Sequence, residues 1–524
     1  MAHTFPRRHL LTAAMAATGG AVLPATLSGP AQAQARKILV IASNQDIPSF
    51  DPHVASGYSS AALLRNVYDS LVRVEGNPVR VLPHLASSWT VSPDGMEYVF
   101  KLNPAAKFAD GTPVDAAAVR YSFSRLLRLG KGNSWMVAGL IDDNSVTAVD
   151  ATTVRIKLVK PFAAFLQVLP WQWIVNPKLV EANKGADDAQ TYLRGTIAGS
   201  AAFRIKRAEP GNLYEFERVA NHWRTGGGNL TGAIWRIVRE TSSQRLALQR
   251  GEAHIAVDLT SEDMVALKDK PGVKLVIEPE FRTFSIKMNT EFGPLKDINL
   301  RKAISYAFNY QAMRDTAGFA DLMVGPLPNG ILGHDPKLAV YRTNLAKAKE
   351  YLAKSEAAKG GLTLSMVYVS GLEQERQFGL VLLDSLKQIG IELDIKAMVW
   401  PDIVASAKTP ASTADFYPVY QTANYGDPDN IAYAAYHSSR NGGWQNPVYH
   451  SAKVDALIER GRAESNEAKR KAIYQEFQQV VVDDAPDIFG VLEKRRLALR
   501  SDVRGFVFTP VAANAIELFG LSLG

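Results

Sequence analysis

The chain has 524 residues, of which 47% are hydrophobic and 21% are charged, and this composition excludes wholesale disorder. Its formal charge of +7 is not concentrated on any basic arm or run, so the sequence does not indicate a nucleic-acid-binding protein. There is no cysteine, which excludes disulfides, thiolate metal sites and thiol nucleophiles.

The first 33 residues have the layout of an export signal. Arg7 and Arg8 precede an Ala/Gly-rich apolar stretch, and residues 31–33 (Ala-Gln-Ala) offer a small-x-small cleavage site. The paired arginines indicate the twin-arginine route, with cleavage after Ala33 or Ala35. We therefore expect a periplasmic protein, and without a lipid-attachment cysteine we expect it to be free in solution.

Strand and helix patterns alternate from the start of the mature chain. Residues 38–42 are a continuous apolar run typical of a buried strand, and 154–158 alternate as a half-buried strand does. Between them, Asp115 is placed to cap a helix. The middle of the chain carries strand patterns at 203–206, 213–219, 234–239, 274–277 and 283–288.

The second half of the chain indicates an α/β fold. Its clearest helix is amphipathic and is predicted to be capped by Asn299, with Arg301 on its solvated face. Beyond residue 360, strand and helix patterns alternate, with strands at 363–369 and 391–396 and helices at 372–389, 452–466 and 470–482. No segment after the signal reaches the roughly 18 apolar residues that span a bilayer.

The familiar local motifs of enzymes and metal sites do not occur. There is no Gly-x-Ser-x-Gly, His-Glu-x-x-His, Walker loop or dinucleotide-binding glycine motif. His437 and His450 flank a Gly/Asn loop, but no carboxylate or thiol completes a metal set. We expect no catalytic residue, metal or cofactor; a secreted hydrolase stays open as an alternative, because catalytic residues can converge from distant positions.

Seven blocks of sequence resemble those of one family, in the family's order. They lie at 46–53, 82–89, 108–115, 251–256, 288–290, 301–307 and 426–430, and the last reads Gly-Asp-Pro-Asp-Asn. The chain resembles the family 5 extracellular solute-binding proteins, the dipeptide, oligopeptide and nickel receptors of ABC importers.

The resemblance implies an α/β, two-lobed periplasmic binding protein fold with an inserted subdomain and a ligand cleft between the lobes. The implied division is lobe I at 36–70, 197–282 and 500–524, the inserted subdomain at 71–196, and lobe II at 283–499. A cleft of this kind can close around a solute by a hinge.

The implied function is binding, not catalysis. A monomeric receptor would capture a small polar solute, a peptide or a peptide-like molecule, and deliver it to an inner-membrane ABC permease. A non-peptide ligand, such as a carbohydrate or an opine, is the alternative within the same class.

The resemblance also implies a set of ligand-contacting residues. Aromatic walls bind solutes of varied shape, and four tryptophans occupy segments expected to face the cleft. Two tyrosines and two amides complete the expected site. The set is Tyr58, Trp135, Trp171, Trp173, Trp400, Gln421, Asn424 and Tyr425.

Two departures from the family bear on the ligand. Peptide-binding members carry a Trp and, three residues later, an Asp for the peptide's α-ammonium, where this chain has Gln421 and Asn424. An amide cannot neutralise an ammonium group, so peptides with a free α-amine are in doubt as the ligand. The nickel-binding pattern keeps Trp135 but has Gly132 and Trp171 in place of its two arginines, so a nickel chelate is not supported.

Overall fold

The computed structural model of the protein describes residues 37–55, 58–257, 259–511 and 516–524. The export signal predicted at residues 1–33 lies outside these ranges. Among the helices of the described residues, none is both long and apolar enough to cross a bilayer.

The strands fall in two groups along the chain, separated by a helical middle. They are β1 (Ile38–Ser43), β2 (Val72–Glu75), β3 (Arg80–Pro83), β4 (Ala86–Val91), β5 (Glu97–Leu102), β6 (Val146–Asp150), β7 (Thr153–Lys157), β8 (Phe203–Glu209), β9 (Leu213–Arg218), β10 (Gly232–Ile237), β11 (Ile255–Ala256), β12 (Val273–Met288), β13 (Ala320–Leu322), β14 (Thr363–Val369), β15 (Glu392–Met398), β16 (Phe416–Thr422), β17 (Asp487–Arg500), β18 (Val503–Arg504) and β19 (Ser522–Leu523).

The longer helices lie mostly in the second half of the chain. The helices are α1 (Tyr58–Leu64), α2 (Ala116–Leu129), α3 (Phe165–Val168), α4 (Pro177–Ala182), α5 (Gln190–Leu193), α6 (Thr241–Arg250), α7 (Ser261–Leu267), α8 (Ile298–Ala307), α9 (Tyr310–Ala317), α10 (Leu345–Ala353), α11 (Glu373–Lys387), α12 (Trp400–Ser406), α13 (Asp429–Tyr436), α14 (Ala452–Ala463) and α15 (Glu467–Asp484).

One large mixed sheet runs through the molecule in the order β15-β14-β16-β12-β17-β11-β1-β10-β9-β8, with β13 added beside β17. A separate four-stranded antiparallel sheet, β4-β5-β7-β6, lies within the segment predicted to be an inserted subdomain. The α/β fold class expected from the alternating patterns is therefore confirmed.

The buried apolar side chains form two main cores. The first core is built mainly from residues 39–257 and includes the C-terminal Ile516, Leu518 and Leu521. The second core is built mainly from residues 281–492. The large sheet joins the two cores through its two central strands.

Strands β12 and β17 each pass from one core to the other. In β12, Val276 packs in the first core and Phe284 in the second. In β17, Val491 packs in the second core and Leu499 in the first. These antiparallel neighbours therefore form the central connection between the cores.

A bulge interrupts β12 at this crossing. Pro279 pairs with Lys494 and Thr283 pairs with Leu492, so residues 280–282 face a single residue of β17. The strands predicted at 274–277 and 283–288 are both confirmed as strand, but the sequence did not show that they belong to one long strand that continues through the bulge.

Helix caps show where short-range reasoning holds and where it fails. Asp115 caps α2 as predicted, accepting a hydrogen bond from the backbone N–H of Ala118 at 2.8 Å. The cap predicted at Asn299 is wrong: the carboxylate of Asp297 caps α8 and accepts the N–H of Asn299. Arg301, expected in solvent, is only 6% exposed because its guanidinium donates to several backbone carbonyls, including that of Asp484 at 2.7 Å.

Candidate functional site

The predicted site residues of the second half lie at the carboxyl ends of neighbouring strands. Strand β14 is parallel to both β15 and β16. Trp400 lies two residues after the end of β15. Gln421 is the penultimate residue of β16, and Asn424 lies two residues after the end of that strand. Ligands of open α/β sheets bind outside the carboxyl ends of the strands, so this edge is the candidate site.

Two of the predicted tryptophans present large exposed rings. Trp400 is 43% exposed and meets Trp444 edge to face, with ring centroids 5.6 Å apart. Trp135 is 50% exposed in the 3-10 turn Gly132–Met136. Exposed indole faces of this size offer apolar contact area to a ligand.

The other two tryptophans are buried. Trp171 and Trp173 are 4% and 3% exposed, and their ring centroids are 6.2 Å apart. The indole N–H of Trp171 donates to the backbone carbonyl of Asn424 at 2.6 Å. The backbone N–H of Asn424 donates to the side-chain oxygen of Asn430 at 3.1 Å, so the main chain of Asn424 is held on both sides.

A second contact lies beside the Trp171 bond. The N–H of Ala163 donates to the carbonyl of Arg462 at 2.9 Å, and the guanidinium of Arg462 stacks over the ring of Phe162. Phe162 and Trp171 belong to the first core, whereas Asn424 and Arg462 belong to segments that pack with the second. We call the Trp171–Asn424 and Ala163–Arg462 hydrogen bonds the bridge contacts. They hold the two halves together at the candidate site.

The loop that follows β16 is stabilised by buried ion pairs. The carboxylate of Asp427 binds the guanidinium of Arg470, with one oxygen–nitrogen distance of 2.6 Å, and also accepts the N–H of Asp429. The hydroxyl of Tyr425 donates to the carboxylate of Asp429 at 2.8 Å. Burial raises the pKa of Asp429 to about 6. The Tyr425 hydroxyl therefore binds within the loop itself. The sequence did not reveal the role of Arg470, because this residue lies 43 positions from its partner Asp427.

A buried charge cluster organises the segment after β1. Arg125 is fully buried and donates to both carboxylate oxygens of Asp51, at 2.8 and 2.7 Å. Burial and the nearby Arg125 lower the pKa of His53 to about 4, so its imidazole is neutral at pH 7. Because Arg125 can only donate, the imidazole accepts its N–H at Nδ1 and donates from Nε2 to the carbonyl of Trp173. The cluster therefore ties this segment to the Trp171–Trp173 segment.

Two predicted site residues remain. The side-chain nitrogen of Gln421 is buried and has no hydrogen-bond partner in the part of the chain that the structure describes, so it is an unused donor at this edge. Tyr58 is the first residue of α1, and its side chain lies outside the described residues. The structure thus brings Trp171, Trp173 and Asn424 together, while Trp400 pairs with Trp444.

A cavity of about 450 Å³ opens next to the bridge contacts. Residues of both cores line it, among them Val79, Phe281, Gly426 and Arg470. Within the described residues, no group of three or more His, Cys, Asp or Glu side chains is placed to hold a metal ion. The site is thus a polar and aromatic edge between two cores.

Comparison with known proteins places this arrangement in a family. The model of the "Bacterial extracellular solute-binding proteins, family 5 Middle" matches residues 80–443. The chain belongs to this family of solute-binding proteins. It is a binding protein and not an enzyme, and its fold is the two-lobed periplasmic binding protein fold with an inserted subdomain and a cleft between the lobes.

Individual relatives match over almost their whole length. The chain is 30% identical over 500 residues to the probable D,D-dipeptide-binding periplasmic protein DdpA of Escherichia coli (strain K12), covering 93% of this chain and 94% of that protein. It is 26% identical over 498 residues to the glutathione-binding protein GsiB of the same strain, covering 92% and 94%. The solved structure of DppA from Helicobacter pylori in complex with peptide STSA aligns with a TM-score of 0.78 at 23% identity, covering 93% and 98%.

Proposed function

We propose that this family 5 protein is the periplasmic receptor of an ABC importer for a peptide or a peptide-like solute. The observation that carries the proposal is the edge between the two cores, where the bridge contacts join the two halves and the cavity lined by Ala163 and Gly426 opens beside them. The curated relatives named for dipeptides and glutathione support the peptide class of ligand. In this proposal the protein acts as a monomer, is exported through a twin-arginine signal cleaved near residue 33, and delivers its ligand to an inner-membrane permease.

The proposed lobes are lobe I at 36–70, 197–282 and 500–524, lobe II at 283–499, and the inserted subdomain at 71–196. On β12 the proposed boundary at 282 and 283 lies at the end of the bulge, where the strand passes from one core to the other. On β17 the passage lies between Leu492 of the second core and Leu497 of the first, so it precedes the proposed boundary at 499 and 500. A hinge at these strands would let the cleft open and close.

The first prediction tests the ligand class. Protein purified from its native host and then denatured should release a peptide or a peptide-like molecule, identified by mass spectrometry. After refolding without that solute, the protein should be thermally stabilised by added ligand, with a stabilisation that grows as the logarithm of the ligand concentration above Kd, and should form no product. D-alanyl-D-alanine, L-alanyl-L-alanine and glutathione are the first compounds to test. Release of a carbohydrate or an opine would contradict the peptide class, and turnover of a test substrate would contradict the receptor.

The second prediction concerns the bridge contacts. Trp171→Phe keeps an aromatic ring but removes the N–H that binds the carbonyl of Asn424. A neutral hydrogen bond contributes about 0.5–1.5 kcal/mol, so ligand affinity measured by calorimetry should fall about two- to tenfold, because the closed form loses that contact.

Trp235→Phe is the matched control for that variant. Trp235 is buried in the first core, and its indole nitrogen has no hydrogen-bond partner among the residues described at 37–55, 58–257, 259–511 and 516–524. This control should lower thermal stability without changing ligand affinity. Equal affinities for Trp171→Phe and the unaltered protein would show that the bridge does not contribute to closure.

A further inference from the structure

The bulge of β12 lies where the two halves of the cleft meet. The carbonyl of Phe281, within the bulge, accepts the N–H of Ala423 just after β16, at 2.7 Å. Arg495, on the facing strand, donates to the carbonyl of Val257 just after β11, at 3.0 Å. The bulge is therefore bordered by the carboxyl ends of strands from both cores, the place at which α/β sheets bind ligands.

Glu280, the first residue of the bulge, is a buried glutamate that is 5% exposed. Within the described residues, no hydrogen bond or ion pair joins its carboxylate to another side chain or to the backbone. The neighbouring Arg282 is engaged elsewhere, since it pairs with Glu493 at 2.9 Å. By contrast Glu375, another buried glutamate of the chain, accepts the N–H of Val369 at 2.9 Å. A buried charge is costly unless it is paired directly, and the nearby guanidinium groups of Arg495, Arg282 and Arg496 offset that cost only in part. The carboxylate of Glu280 can therefore still accept a hydrogen bond from a cationic ligand group.

A second unpartnered group lies on the adjacent strand. Gln421 is 3% exposed and pairs across the sheet with Thr283, and its side-chain nitrogen has no acceptor among the described residues. The crossing thus offers one carboxylate without a hydrogen-bond donor and one amide donor without an acceptor. The amino end of a peptide presents the matching groups, an α-ammonium and the first carbonyl oxygen.

We propose that Glu280 receives the α-ammonium group of the ligand and that Gln421 donates to a ligand carbonyl. The assignment rests on the proposed receptor function and deepens it. It places on β12 the negative charge that the amide of Asn424 does not provide. Desolvation raises the pKa of Glu280; the nearby Arg495, Arg282 and Arg496 partly oppose that rise, and the carboxylate of Glu493 adds to it.

The test compares Glu280→Gln with Glu278→Gln. Glu278 lies two residues earlier on the same strand and is exposed, so its variant removes the same charge outside the cleft. Both variants and the unaltered protein are unfolded and refolded to remove bound solute. Calorimetry then measures binding of D-alanyl-D-alanine and of its N-acetyl derivative, which has no ammonium group.

Glu280→Gln should weaken binding of the free-amine peptide at least tenfold, because a hydrogen bond to a charged group is lost from a buried site. The N-acetyl derivative should change less than about threefold, because it never placed a cation there. Glu278→Gln should leave both affinities unchanged.

Thermal stability without ligand is an independent readout. Because the pKa of Glu280 is raised in the folded protein, its ionised form lowers stability at pH values above the ordinary carboxyl pKa of about 4.3. Glu280→Gln should therefore raise the Tm of the empty protein by about 1–2 °C at pH 8, and this gain should vanish below about pH 4. A glutamate held in a structural ion pair would show the opposite sign.

Each contrary result has its own meaning. Unchanged affinity for D-alanyl-D-alanine in Glu280→Gln, or a lower Tm of the empty variant, overturns the assignment of Glu280 and leaves the receptor function intact. Failure of the unaltered protein to bind D-alanyl-D-alanine also overturns the assignment. The proposed function fails separately, if the solute released from the purified protein is not peptide-like.

Discussion

Asp51→Ala should lower the free energy of unfolding by about 3–5 kcal/mol, because it leaves the fully buried guanidinium of Arg125 without its carboxylate. The two side chains are 0% exposed, so water cannot replace the lost partner. The backbone carbonyl of Asp188 still accepts from Arg125 at 2.7 Å, but a neutral carbonyl does not compensate a full charge. Urea unfolding followed by tryptophan fluorescence measures the loss.

The matched control and a double variant separate the pair from its surroundings. Asp143→Ala removes a carboxylate from an exposed turn and should change stability by less than about 0.5 kcal/mol. Asp51→Ala combined with Arg125→Met removes both charges and should recover much of the loss, since apolar replacement of a whole buried pair is often neutral. A loss below about 1 kcal/mol for Asp51→Ala alone would mean that the pair contributes little.

Asn424→Asp should change ligand selectivity by tenfold or more. The backbone of Asn424 is held by Trp171 and Asn430, so the substitution changes the side-chain charge without releasing the loop. A charged hydrogen bond to an ammonium group contributes about 1.5–3 kcal/mol, so the affinity for D-alanyl-D-alanine should rise at least tenfold. If the amide N–H₂ of Asn424 donates to the solute that the unaltered protein releases, Asn424→Asp should lower the affinity for that solute. The reason is that a carboxylate only accepts hydrogen bonds.

Calorimetry with both ligands gives the selectivity ratio. Asn144→Asp, in an exposed turn, adds the same charge away from the cleft and should change neither affinity. The unaltered protein could already bind D-alanyl-D-alanine tightly, with the same affinity in Asn424→Asp. That result would show that residue 424 does not contact the ligand. Combining Asn424→Asp with Glu280→Gln should restore part of the dipeptide affinity that Glu280→Gln alone removes.

Local patterns predicted many elements, including two parts of β12, but they did not reveal the continuity of β12 or the strand β17. The apolar run at 38–42 became β1, and the Asp115 cap was placed correctly, because both depend on neighbouring residues. Strand β17 was missed, since residues 493–496 are all charged and look solvated in the sequence. In the fold these charges bind partners far along the chain, as Arg496 does with the hydroxyl of Ser261.

The candidate site shows the same limit. The resemblance identified the segment that carries Gln421 and Asn424, but it could not reveal the contact between Asn424 and Trp171, 253 residues apart. Glu280 was missed because it lies between two predicted strands, where a glutamate is ordinarily a loop residue. Its burial follows from the bulge, which depends on the pairing of β12 with the last long strand of the chain.

That pairing has a consequence during synthesis. The first core contains residues from the earliest part of the described chain, yet it closes only against the C-terminal segment. Asn66 donates to the carbonyl of Ile516 and accepts the N–H of Leu518, and Ile255 pairs with Leu499. A nascent chain cannot complete this core until nearly all of its residues have left the ribosome. Its apolar N-terminal strands therefore remain open to chaperones, and to misfolding, for most of translation.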